Sequence, residues 1–397
     1  AAPDEDKGGQ REGDAMNSVH MTAEHELFRD QIRRFVAEEV RPNADAWEAA
    51  GEIPREVFRQ MGALGFLGAR YPAEYGGADM DVFASIVLGE ELGRAGLSGF
   101  AAAVLVHTDM ASPHLARYGT PEQKARYLPG IIAGRTVTAI AVTEPGAGSD
   151  VAGLTTRAAP AGNGWVLNGA KLYITNGVLA DLTFVAARTD PEAKPSRGLS
   201  VFMVEKGTPG LEVASRLDKL GWRCSDTAEL RIEDCRLPAD ALLGEAGRGF
   251  HQIMDNFQNE RLVMGAVTVG EAERAIEITL EHVRTRRAFG APLWDKQAVR
   301  HKLARCATQA EAARHLVHHT AWLVSQGRDC VREVSMIKLF CAEMVQEVAD
   351  TCLQLHGGSG YMRGMEIERL YRDVRIHSIG GGASEVMLDE IAKRMDS

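Results

Sequence analysis

A carboxylate set among apolar neighbours can move protons near neutral pH. Glu260 is such a group, following Phe257 and preceding Leu262 and Val263. Apolar surroundings penalise the charged form and lift the pKa toward the range of a general base. The plainer alternative is a solvated glutamate in the first turns of a long helix, favoured there by the helix dipole. A second candidate is Thr143-Glu144-Pro145-Gly146-Ala147-Gly148-Ser149-Asp150, which follows a β-rich run. Its glycines would expose backbone N–H groups and let a ligand approach closely; an ordinary loop is the alternative. It is not the dinucleotide fingerprint, because Val151 stands where a third glycine is required. Glu311, His315 and His318 share one helical face at a spacing able to hold a metal. A solvated face or part of a subunit interface explains them as well, and no metal is expected.

These groups need elements to hold them. From Thr22 to about Gly134 the pattern is helical. Phe28, Ile32, Phe35 and Val36 make one buried stripe, and Pro42 should end that helix. Tyr71 to Asp79 reads as a turn-rich loop. Thr120 and Pro121 make an N-cap and first-turn pair. From Thr136 to Leu243 short strands with turn signals predict a β-barrel or sandwich. Gly164 to Gly177 reads as two short strands with Asn-Gly turns. From about Phe250 helical texture returns. Residues 260–288 lack proline, with Glu271, Glu273 and Glu277 early and Arg284, Arg286 and Arg287 at the end, as the macrodipole prefers. The expected domains are 21–135 (helical), 136–250 (β) and 251–397 (helical). Residues 1–20 read as a disordered tail or expression remnant, with Met21 a candidate start.

The bulk properties narrow the field. A chain of 397 residues has room for two or three domains. A net charge of −10 argues against a nucleic-acid partner, while a local basic pocket could still hold CoA. The six cysteines form no CxxC pair and fit a reducing compartment. No apolar run reaches the roughly 18 residues a membrane span needs.

Six stretches, in order, resemble the acyl-CoA dehydrogenase family. They are Tyr75-Gly76-Gly77, Gly119-Thr120-Pro121-Glu122-Gln123-Lys124, the Thr143–Asp150 loop, Lys171-Leu172-Tyr173-Ile174-Thr175-Asn176, Arg286-Arg287-Ala288-Phe289-Gly290 and Gln354-Leu355-His356-Gly357-Gly358. The match runs from about residue 22 to the end. Near the C-terminus, Arg372 to Glu385 resembles a further family signature, in which Glu commonly stands at the position of Gly381. Here the carboxylate is at Glu260 instead. Isovaleryl-CoA and long-chain acyl-CoA dehydrogenases show the same exchange, so the resemblance points to that branch.

The resemblance implies an α+β fold: an N-terminal helical domain, a central β-barrel and a C-terminal four-helix bundle. It implies non-covalent FAD contacted by Val142, Thr143, Ser149, Tyr173 and Thr175, with Ser384 and Glu385 adding to the cofactor site. Tyr173 stands where the family often has Trp. Arg286, Gln297, Gln354, Gly357 and Gly358 would hold the FAD of a neighbouring subunit, in an expected homotetramer. Ala383 replaces a usual Thr, so a hydroxyl contact should be missing. Substrate contacts would come from Ser149, Gln258, Arg261, Met264 and Gly380. Met264, one turn beyond Glu260, would line the acyl path, in a pocket widened by Gly380-Gly381-Gly382. The implied reaction is α,β-dehydrogenation of an acyl-CoA thioester. Glu260 would take the α-proton as hydride leaves Cβ for the flavin, and the Gly381 N–H would help polarise the thioester carbonyl. Electrons would pass to an electron-transfer flavoprotein. The expected location is cytoplasmic, or the mitochondrial matrix in a eukaryote, and the expected pathway is fatty-acid or branched-chain amino-acid catabolism. A carrier-protein thioester as substrate, and a non-enzymatic scaffold of the same fold, remain as alternatives.

Overall fold

The computed structural model describes residues 20–395; the tail expected over 1–20 lies, but for His20, outside the described residues. The N-terminal helices are α1 (Ala23–Phe35), α2 (Ala44–Ala50), α3 (Arg55–Ala63), α4 (Val82–Gly93), α5 (Ser98–Leu105), α6 (Ser112–Tyr118) and α7 (Pro121–Ile132). Thr22 caps α1 by accepting from the His25 backbone, and Phe28, Ile32 and Phe35 form its buried stripe. The α-helical turn gives way to a π-helical one at Val36–Val40, before Pro42. Thr120 caps α7 in a reciprocal box with Gln123, and Pro121 opens its first turn. Every residue of α4 is buried, as befits a helix that is apolar nearly all round. Between α5 and α6, Val106–Ala111 forms a second π-helical turn.

The strands are β1 (Thr138–Ala141), β2 (Arg157–Ala161), β3 (Gly164–Thr175), β4 (Leu182–Arg188), β5 (Leu199–Glu205), β6 (Leu211–Arg216), β7 (Thr227–Pro238) and β8 (Leu242–Leu243). They pair in the order β6-β7-β3-β2-β4-β5-β8, with β1 also on β4. β4 and β5 are buried on both faces. Val185, Ala187, Phe202 and Val204 pack within the β domain. Leu182, Phe184, Leu199 and Val201 face the helices, the alternation a strand imposes. The expected pair of short strands over 164–177 is instead one strand, β3. Its register on β7 shifts between Leu167 and Gly169, so Asn168-Gly169 is a bulge and not a turn. Gly169 has φ +156° and sits against Thr156, a close approach only glycine allows.

The C-terminal part comprises α8 (Gly249–Thr285), α9 (Gln297–Ser325), α10 (Val331–His356), α11 (Glu366–Asp373) and α12 (Ser384–Ala392). α8 begins at Gly249 and stops at Thr285; Arg287–Ala288 pair as a short strand with Ala291–Pro292. The helix starts within a residue of the expected return of helical texture at about Phe250, and it ends before the basic pair Arg286–Arg287 that was expected inside its last turn. α8 lies close along α4. A Cβ on Gly93 would stand 2.2 Å from the Val267 carbonyl oxygen, and one on Gly270 would stand 2.0 Å from that of Glu90. Glycines on both helices thus let the backbones touch and fix where Glu260 points. No helix among the described residues is long and apolar enough to cross a membrane.

Candidate active site

Glu260 is the twelfth residue of α8, too far from the N-terminus for the dipole to favour it. It is 7% exposed, which rules out the solvated reading. Asn256, one turn earlier, donates from Nδ2 to Glu260 Oε1 at 2.9 Å. The same nitrogen donates to the carbonyls of Asp109 and Met110 at 3.1 and 3.0 Å. These carbonyls belong to the π-helical turn, and π turns are frequent at functional sites. Burial pushes the Glu260 carboxyl up to about 8; the Asn256 bond and nearby Arg261 oppose the rise, and Asp109 adds to it.

Gly381 stands beside this carboxylate's helix. Its φ is +68°, and a Cβ there would meet Met264 Sδ at 2.7 Å. A Cβ on Gly382 would lie 3.5 Å from Arg261 Nη2. The Gly380–Gly382 turn therefore rests on the stretch of α8 just past Glu260. Lys338 of α10 holds the turn by donating from Nζ to the carbonyls of His377 and Gly382. Arg261 is buried, its Nε lacks a partner, and its guanidinium packs over Phe257 at 5.6 Å. Gln258 is half-buried.

The β domain supplies the other wall. Glu144 is buried and accepts from Lys171 Nζ at 2.7 Å, from Thr155 N at 2.7 Å and from Thr156 N at 3.0 Å. Burial alone would raise its pKa; Lys171 and these donors carry it down to about 2. Lys171 Nζ also donates to the Val142 carbonyl, and Leu172 N to that of Thr143. This ion pair fastens the Thr143–Asp150 loop to β3. Val142, Thr143, Tyr173 and Thr175 thereby share one edge, and Val142 packs into the same apolar cluster as Phe257 of α8. Tyr173 has φ +61° and is 65% exposed. A strained, solvent-facing ring of this kind marks a functional surface. No atom lies within 4 Å of where a Cβ would stand on Gly146 or Gly148. An open glycine loop with a flat free ring beside it fits a flavin cofactor. Ser149 lies exposed on that loop.

Ser384 and Glu385 begin α12, and Ala383 at its N-cap makes no side-chain cap bond. Arg286, Gln297, Gln354, Gly357 and Gly358 come together elsewhere. Arg286 caps the far end of α8, Gln297 starts α9, and Gln354 to Gly358 end α10. His282 stacks on His356 at 4.2 Å, tying those ends together. Thr285 is 25 residues past Glu260 along α8, about 38 Å at the helical rise. Glu311 and His315 pair at 3.1 Å on the outside of α9, whereas His318 turns inward to Glu90 at 2.7 Å. The three do not converge.

A cavity of about 360 Å³ lies between α4, the π turn, α6 and α8, reached on α8 by Asp255, Asn256 and Asn259; Glu260 and Gly381 do not line it. Phe66, Leu67, Ala84 and Leu88 give it apolar wall. Met264, expected on the acyl path, does not line it; its sulfur fills the space beside Gly381. The widening expected from the glycine run is thus taken up by Met264. Reading the sequence missed Asn256, Asp109, Arg70 and the Glu144–Lys171 pair. Asn256 was within reach, four residues before Glu260 on a helix; the others become neighbours only through the fold.

The family models for the acyl-CoA dehydrogenase N-terminal, middle and C-terminal domains match residues 22–135, 139–235 and 247–396. The chain belongs to the acyl-CoA dehydrogenase family. Its members are flavoprotein oxidoreductases that bind FAD. The chain is 40% identical over 377 residues to the mitochondrial long-chain specific acyl-CoA dehydrogenase of Mus musculus, covering 95% of this chain and 87% of that one. It is 36% identical over 377 residues to the mitochondrial isovaleryl-CoA dehydrogenase of Pongo abelii, covering 94% and 88%. The crystal structure of an acyl-CoA dehydrogenase from Geobacillus kaustophilus superposes with a TM-score of 0.92 at 41% identity, covering 96% of this chain and 100% of that one. The α–β–α order, with a central sheet domain, is that of the family.

Proposed function

We propose that this chain oxidises a saturated acyl-CoA to the trans-2-enoyl-CoA, with Glu260 as the base. The observation that carries the reading is a buried carboxylate, its pKa raised to about 8, on a helix whose next turn packs against the Gly380–Gly382 turn through Met264 and Arg261. Abstraction of an α-proton needs a carboxylate that is ionised when it takes the proton, basic enough to hold it afterwards, and shielded from water. Asn256 orients Glu260 for that task. The Gly381 N–H, on a turn pinned by Lys338, would donate to the thioester carbonyl and stabilise charge developing there. Arg261, Gln258, Ser149 and Gly380 would contact the acyl-CoA thioester. Val142, Thr143, Tyr173, Thr175, Ser384 and Glu385 would hold FAD, which when bound supplies the acceptor for the hydride from Cβ. An electron-transfer flavoprotein would take the electrons on.

The acyl group enters the 360 Å³ cavity, near the lower bound for ligand pockets. Branched or longer acyl groups should be preferred over butyryl, in a graded way, at roughly 1–3 kcal/mol per misfit methylene. Arg286, Gln297, Gln354, Gly357 and Gly358 lie too far from Glu260 to serve the same flavin. In this reading they contact the FAD of a neighbour in a homotetramer. Six buried free thiols among the described residues suit a reducing cytoplasm or matrix. Anaerobic titration with butyryl-, isovaleryl- and long-chain acyl-CoAs, following flavin absorbance, tests the assignment. Bleaching by the larger thioesters is expected; a yellow protein that none of them bleaches would overturn it.

A further inference from the structure

Gly381 is held by more than Lys338. Its N–H has no hydrogen-bond partner among the described residues, so the direction of that N–H depends on what grips the turn around it. Lys338 Nζ donates to carbonyls on either side, those of His377 and Gly382. His377 is in turn held by its ring. Nε2 donates to Glu271 Oε2 at 2.8 Å, with His377 2% exposed and Glu271 wholly buried. Trp222, from the loop between β6 and β7, meets the same ring edge-on at 5.9 Å. The Trp222 backbone N–H donates at 2.7 Å to Oδ1 of Asp373, one turn before His377. Glu271 lies eleven residues beyond Glu260 on α8, three helical turns on and within about 20° of the same face. One helix thus carries the base and, through His377, an anchor of the Gly381 turn.

Fold stability alone is a poor reason for this arrangement. Glu271 Oε1, His377 Nδ1, Asp373 Oδ2 and Trp222 Nε1 are all buried without a hydrogen-bond partner among the described residues, and each such atom costs stability. Apolar side chains of similar volume often serve as well as a buried charged pair. Trp222 adds a φ of +52°, strained for so bulky a residue. Strain and unmet bonds collected in one place point to a functional demand there. We infer that Glu271 and His377 are positioning residues: with Lys338 they fix the Gly381 N–H relative to the Glu260 carboxylate. The inference rests on the acyl-CoA reading above and adds two residues to it.

Three readouts on the FAD-loaded chain test it. Hydrogen exchange follows the Ile379 and Gly380 amides, which donate to the Ile376 carbonyl at 2.8 and 2.9 Å. Anaerobic mixing with octanoyl-CoA follows flavin reduction. The third is the pH at which bound 3-oxooctanoyl-CoA loses its α-proton to solvent, read as enolate absorbance in a Glu260→Gln background; a well-aimed donor on the carbonyl lowers it. In Glu271→Leu the two amides should exchange about tenfold faster. Flavin reduction should fall by roughly 10–10²-fold, as displacement of a positioned group does, and the enolate should appear about one pH unit higher. Octanoyl-CoA affinity and Tm should not fall. Glu271→Gln, which can still accept from His377, should recover most of each change, and His377→Leu should match Glu271→Leu. Parental exchange and enolisation in Glu271→Leu would overturn the inference, as would Glu271→Gln losing as much as Glu271→Leu. If no acyl-CoA bleaches the parent flavin, the dehydrogenase reading fails, while the exchange rates still decide whether this pair holds the turn.

Discussion

Around Glu260 the side chains turn inward. Asn256, Asp109, Lys338 and the Glu144–Lys171 pair are all buried, and each bonds to another part of the same chain. At the other end of α8 the groups face outward. Arg286, Gln297, Gln354, Gly357 and Gly358 are all exposed, Phe289 is 97% exposed, and no atom lies near the missing Cβ of Gly357 or Gly358. One helix therefore carries a site whose geometry a single chain completes and a surface that a single chain leaves bare. Proton chemistry depends on a fixed, dry carboxylate, which the packing of α4 on α8 supplies. A surface of glycines and exposed rings is suited to receive something from outside the chain.

The comparison can be broken first at the inward region. Lys171→Met leaves Glu144 buried without its counter-charge, held only by Thr155 and Thr156, and should cost about 3 kcal/mol of stability by denaturant unfolding. Adding Glu144→Gln should recover most of that loss. A single variant as stable as the parent would mean the pair does not fasten the loop.

A second change asks whether 260 and 381 face one reacting carbon. Glu260→Gly should cost roughly 10²–10⁴ in flavin reduction, the usual worth of a general base. Adding Gly381→Glu should restore little, because a side chain at φ +68° meets Met264 Sδ at 2.7 Å. Adding Met264→Ala as well should restore more. Equal activity with and without Met264→Ala would show that this sulfur is not the obstruction.

At the outward end, Arg286→Ala should weaken FAD retention by about tenfold and shift the protein toward smaller species in sedimentation, since the cofactor would bridge subunits. A monomer holding stoichiometric FAD would erase the contrast between the two ends.

The smallest expected effect is on stability against pH. The folded pKa of Glu260 is raised from 4.5 to about 8. Its contribution is therefore full below about 4.5 and is lost as pH rises through about 8. Glu260→Gln has no such loss, so its Tm relative to the parent should climb by a few degrees across that window. A constant difference would place Glu260 in water.

Much of this was legible in the residues, and the failures have physical causes. The buried stripe of α1 and the Thr120 cap follow from local periodicity and hydrogen bonding, and both are present as expected. The start of α8 was legible to within a residue, since helical texture returns at about Phe250 and the helix begins at Gly249. The depth of Glu260 was not, because its burial as the twelfth residue depends on the packing of α4 and the π turn against that stretch. Asn168-Gly169 reads as a turn from composition, yet the close approach of Thr156 makes it a bulge. The contact of Met264 with Gly381 is not legible in the sequence, since it depends on how Lys338 pins a turn more than a hundred residues away. Arg70 and Asn259 meet across 189 residues of chain, beyond any local pattern.

The central claim is that Glu260 takes the α-proton. Rapid mixing of Glu260→Gln holoenzyme with isovaleryl- or long-chain acyl-CoA under anaerobic conditions tests it most directly. FAD should stay bound as in the parent, and flavin reduction should slow by roughly 10³ or more. Reduction at the parent rate would contradict it.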